Sequence, residues 1–209
     1  SVVTTIAPML LVIADILAMQ KILGYSDAAY GSRQLFQATI LYIFVFALLA
    51  SAPLNAVLSR YVSDVIFNET YSDIMAAFHL GLWISMAIDA IMVVPFAIHE
   101  YIVGGVDIVY VVTSVCCFIA LSLVFYTMLY LSLCKDYGKI SLFYFIGMAI
   151  TLGISYIFVN KFNMEITYSM LLAMTIGFII IASLGYALLR QYFTQNSKNY
   201  KDVLQYIVR

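Results

Sequence analysis

Asp15 and Asp89 lie inside long apolar stretches of this 209-residue chain, and they are its strongest candidates for chemistry. An acid at the centre of a membrane-spanning helix costs roughly 2.5 to 3.5 kcal/mol on insertion scales. It must therefore be neutral, hydrogen-bonded to a neighbouring helix or set beside a polar path. Asp89 ends a series, Ala77, Gly81, Ser85 and Asp89, in which every fourth residue is small or polar. On a helix that spacing forms one ridge, which makes Asp89 and Ser85 the first candidates for a substrate cavity and Asp15 the next. Ser114, Ser122, Tyr126 and Tyr130 are in register on the following stretch. Tyr126 and Tyr130 are therefore candidates for presenting aromatic faces and hydroxyls to a sugar. The competing reading is close packing, since small ridges let helix backbones approach. It applies equally to Gly147, Thr151 and Ser155, and to Ser169, Ala173, Gly177 and Gly185.

Other residues divide between local structure and function. Arg60 and Asp64 stand four apart at the end of the second stretch, which reads either as a surface pair worth a few tenths of a kcal/mol or as a gate or docking point. His79 reads as a neutral imidazole bonded to another helix rather than a proton relay. Pro8, Pro53 and Pro95 all fall within apolar stretches, where each removes a helix bond. Pro8 and Pro53 are the hinge candidates. Cys116, Cys117 and Cys134 have neither metal-site nor disulfide-frame spacing and read as ordinary thiols. Phosphate loops, dinucleotide fingerprints, metal-spaced His and Glu and nucleophile elbows are all missing. The expectation is a protein that is not an enzyme, with no cofactor and no metal.

The elements that position these residues are six apolar runs: Val2 to Met19, Leu35 to Leu58, Ile74 to Ile98, Val106 to Leu133, Ile140 to Val159 and Ile166 to Leu189. Each approaches or exceeds the roughly 20 residues that a helix needs to cross about 30 Å of hydrocarbon. The chain is 65% hydrophobic and 10% charged, with a mean hydropathy of +1.02, far from the roughly 25% charge of soluble domains. The fold class expected is all-α, a polytopic membrane bundle of six transmembrane helices, because barrel strands would alternate in polarity. Residues 1–189 form the bundle, and 190–209 form a cytoplasmic amphipathic tail or an inter-lobe linker. No charge excess points to nucleic acid. The first run has no basic leader or cleavage site, and since the chain lacks an initial Met, residues are expected before Ser1. Three basic residues (Lys21, Arg33, Lys161) follow odd-numbered runs and seven follow even-numbered ones. The positive-inside rule places both chain ends in the cytoplasm.

The stretch from Ser51 to Glu69 resembles the end of the second helix in the PelG family, the membrane component of Pel exopolysaccharide export. The matching positions are Pro53, Leu54, Arg60, Tyr61, Asp64 and Phe67. Helix order, short connectors and Pro8 extend the similarity along the chain. The resemblance implies a bacterial inner-membrane subunit similar to the multidrug, oligosaccharide and polysaccharide flippase superfamily, this chain being one lobe of a twelve-helix transporter. It implies membrane lipid, a polysaccharide, a cytoplasmic glycosyltransferase of the Pel type and small Pel membrane proteins responding to cyclic di-GMP as partners. The alternatives are a lipid-linked oligosaccharide flippase or ion-coupled exporter, and a non-transporting scaffold for the glycosyltransferase. For an exporter lobe, helices one and two with the small ridge of helix three are expected to form a polar seam against a second lobe.

Overall fold

The computed structural model describes residues 2–69, 72–134 and 137–193. The described residues form α1 (Val2–Ile22), α2 (Tyr30–Phe67), α3 (Asp73–Ile102), α4 (Ile108–Cys134), α5 (Tyr137–Phe162) and α6 (Ile166–Tyr192), with no strand among them. Helices α2 to α6 are each long and apolar enough to cross a membrane. The chain is thus an all-α polytopic membrane protein. Each run from the sequence has its own helix, but the helices continue past the hydrophobic limits, and α4 starts two residues after Val106.

The largest extension is in α2, which has 38 residues and so measures about 57 Å, against about 30 Å of hydrocarbon. Beyond Leu58 its polarity rises, yet Tyr61, Val62 and Val65 stay buried while Arg60, Ser63, Asp64 and Phe67 are exposed. Spacing of three and four keeps one face on the bundle, and a hydropathy count does not register that pattern. Helix α6 ends at Tyr192. Residues 194–209 of the expected tail lie outside the described residues.

Helices α4 and α6 form the centre of the bundle. α5 packs on α6, α1 packs on α5, and α2 and α3 pack on α4 and on each other. Small residues on two faces of α6 explain its place. A Cβ on Gly177 would collide with Thr151 Oγ1 of α5 and lie 3.3 Å from the Gly147 carbonyl, while one on Gly185 would lie 2.9 Å from Thr127 Cγ2 of α4. The ridges on α5 and α6 are packing faces. Their hydroxyls bond back to their own helices, Thr151 to the Gly147 carbonyl at 2.9 Å and Thr175 to the Leu171 carbonyl at 2.9 Å. Ser169 of the α6 ridge is the exception, its Oγ buried without a hydrogen-bond partner.

The α1–α2 connector is short and fixed. Gly24 adopts φ +67°, which favours glycine, and leads into a single 3-10 turn at Tyr25–Asp27. The Tyr25 hydroxyl donates to the Arg33 carbonyl at 3.0 Å, and its ring meets Phe36 edge-on at 5.9 Å. Burial pushes the Tyr25 hydroxyl above its ordinary pKa range, with the Arg33 charge and a bond to Gln37 opposing.

Candidate functional site

Helices α3 and α4 meet along two successive segments of different character. In the first, Ala77, Gly81, Ser85 and Asp89 of α3 all face inward. Opposite them stand Ser122, Tyr126 and Tyr130 of α4, each with no exposed surface. A Cβ on Gly81 would collide with Tyr126 Oη and lie 2.7 Å from Leu58 Cδ1 of α2, so the missing side chain is what admits the tyrosine. The Tyr126 hydroxyl donates to the Phe78 carbonyl at 2.8 Å. The Phe78 ring lies 5.0 Å from that of Tyr130, nearly perpendicular to it, the edge-to-face arrangement that aromatic quadrupoles favour.

Asp89 lies at the far end of this seam with 1% of its surface exposed. The Ser122 hydroxyl donates to Asp89 Oδ1 at 2.9 Å. Asp89 Oδ2 and Ser85 Oγ are buried without a hydrogen-bond partner. Sequence spacing identified Asp89, Ser85 and Ser122 as members of ridges but not Ser122 as the partner of Asp89, since no pattern within one helix reveals which neighbour it faces.

The ridge of α3 is covered by α4, so the expected contribution of that ridge to a seam against another lobe is corrected. Tyrosines on α4 fill the groove that the small residues leave. The outward face of α3 carries Trp83 at 71% exposure and Ile91 at 74%.

Asp15 occupies a separate place. It lies on the buried face of α1 with Val12 and Met19, on the helix that packs on α5, and its Oδ1 has no partner. Asp15 and Asp89 thus belong to different helix pairs, α1 with α5 and α3 with α4, which the packing order separates by α6. His79 is bonded to another helix as expected, its Nε2 lying 3.2 Å from Tyr186 Oη of α6. Arg60 and Asp64 are exposed on the last turns of α2. Pro53 is exposed within α2, and the α1 backbone is helical through Pro8. The described residues contain no group of three His, Cys, Asp or Glu side chains able to hold a metal.

The second segment is a slot of about 110 Å³ between α2, α3 and α4, bounded by Leu35 to Phe46, Met92 to Glu100 and Val106 to Phe118. Of the residues singled out for a cavity in the sequence, Ser114 lines it, whereas Asp89, Ser85, Asp15, Ser122, Tyr126 and Tyr130 do not. Three of its hydroxyls are already engaged: Thr39 donates to the Leu35 carbonyl at 2.7 Å, Ser114 donates to the Tyr110 carbonyl at 2.8 Å, and Tyr110 donates to Thr39 Oγ1 at 3.2 Å. Glu100 is the sole charged residue on its wall.

Long apolar helices joined by short connectors define a polytopic helical membrane protein, here with two buried acids. Residues 1–209 match the model of PelG, described as "Putative exopolysaccharide Exporter (EPS-E)". The chain belongs to that family. No curated protein and no solved structure matches it.

Proposed function

We propose that the chain is a membrane subunit for export of a Pel-type amino-sugar polymer across the bacterial inner membrane, with both chain ends cytoplasmic. The observation that carries this reading is the family match over residues 1–209, on a chain in which α2 to α6 are able to cross a membrane and α1 is taken as the sixth span. Asp89, Ser85, Tyr126 and Tyr130 form the polar seam that a substrate path would use when α3 and α4 part. The unpartnered Asp89 Oδ2 and Ser85 Oγ support that role, because they are the groups left to bond a hydroxylated ligand. Asp15 is the second acid of the path. Arg60 and Asp64, exposed at the end of α2, serve as a gate or as the docking point for a cytoplasmic glycosyltransferase and its cyclic di-GMP-responsive membrane partners. Pro8 and Pro53 are the hinges, and a second lobe completes the transporter.

Deleting the full-length gene should abolish secreted polymer while leaving glycosyltransferase activity in extracts intact. An unrelated membrane tether fused to that enzyme should not restore secretion; if it does, the protein is a scaffold. Asp89→Asn should insert normally and lower export, and normal export by this variant would remove Asp89 from the path. Orientation is checked by Cys134, which an impermeant thiol reagent should label only after the cytoplasmic side is opened.

A further inference from the structure

The slot between α2, α3 and α4 is built for an amphiphile rather than a sugar. It extends along α2 from Leu35 to Phe46, about 16 Å at the helical rise, parallel to helices that cross the membrane. Because Thr39, Tyr110 and Ser114 spend their hydroxyl protons within the protein, the walls provide a polymer with almost no donors. Sugar recognition needs many directed hydrogen bonds, and an unpaired sugar hydroxyl in such a slot is unfavourable.

The slot is polar at one end only. Glu100, at the end nearest the α3–α4 connector, is about one-third exposed, with Oε1 3.6 Å from His99 Nδ1. One turn deeper on the same face of α3 is Phe96, whose ring lies 5.8 Å from Tyr42 and 5.6 Å from Phe46. A carboxylate above a cluster of three aromatic rings attracts an ammonium group and disfavours an anion. No Lys or Arg lines the slot. An apolar channel running from that carboxylate into the bundle accommodates an alkyl chain beneath a cationic head.

From this geometry we propose that the slot is a lipid site, holding one acyl chain of a phosphatidylethanolamine whose ammonium group sits at Glu100. The site is separate from the Asp89 seam. It rests only on the membrane-spanning fold, not on what the protein exports.

The test uses the full-length protein in nanodiscs of equimolar 1-palmitoyl-2-oleoyl phosphatidylethanolamine and phosphatidylglycerol, with the lipid retained after transfer to detergent identified by native mass spectrometry. Wild type should retain one phosphatidylethanolamine per chain, favoured over phosphatidylglycerol by about tenfold. Glu100→Gln should keep a bound lipid but lose the preference. Ala97→Trp, which fills the slot from α3, should lose the lipid, and Ala38→Trp should do so from the α2 wall. Melting in detergent identifies which tryptophan variant is folded and so can be scored. Equal retention of the two lipids by wild type, or undiminished retention by a folded tryptophan variant, overturns the assignment. Because the readout is lipid mass, failure here is distinct from failure of the export reading.

Discussion

The two segments of the α3–α4 contact use the same pair of helices and come out opposite. Between Ala77 and Asp89 the helices close on each other, with Gly81 admitting Tyr126 and the polar groups enclosed. Beyond Asp89 the same face continues with Met92, Phe96 and Glu100, and the helices bound an apolar slot. The difference follows side-chain size on one face of α3, where Met92, Phe96 and Glu100 lie beside the continuing row of Val93 and Ala97. Small residues every fourth position let an aromatic partner fill the groove, whereas bulky ones hold the neighbour away. Polarity also differs: the closed segment contains unpartnered polar atoms, and in the open segment Thr39, Tyr110 and Ser114 have their hydroxyls satisfied.

The strongest way to break this contrast is to enlarge the residue that closes the first segment. Gly81→Leu should destabilise the protein by about 3 kcal/mol, the upper end of the range for overpacking, seen as a lower melting temperature in detergent. Gly153 has nothing within 4 Å of an added Cβ, so Gly153→Ala should change stability by less than about 0.5 kcal/mol. If both substitutions behave alike, the tight approach of α3 to Tyr126 is wrong.

Ser122→Ala comes next. It removes the donor to Asp89 Oδ1 and leaves the carboxyl without a partner, a loss of about 1 to 3 kcal/mol. A second substitution, Asp89→Ala, should then cost less than in the wild-type background. Additive losses in that double-mutant cycle would mean that the two side chains do not interact.

Tyr126→Phe should cost about 1 kcal/mol through the lost bond to the Phe78 carbonyl, with the ring still filling the groove. A loss as large as that for Gly81→Leu would shift the weight from packing to hydrogen bonding. The smallest effect belongs to the α3–α6 contact. The His79 and Tyr186 bond at 3.2 Å should give a coupling of about 0.6 kcal/mol, in line with other hydrogen bonds between membrane helices. A coupling indistinguishable from zero would show that this pair lies outside the cooperative core.

The sequence by itself determined the membrane class, the position of each helix and the periodic ridges. These follow from hydropathy over about 20 residues and from a 3.6-residue repeat, both local properties of the chain. Helix ends were less legible: α2 runs nine residues past Leu58 because an amphipathic turn still buries Tyr61, Val62 and Val65. Only the tertiary structure decided which ridge meets which helix, that Ser122 is the partner of Asp89, that Asp15 belongs to the α1–α5 pair, and that a slot opens where bulky residues replace small ones. Such facts depend on the packing order of helices far apart in the chain. A one-helix period fixes the face on which a residue lies, but the neighbour against that face is set by contacts between helices distant in sequence.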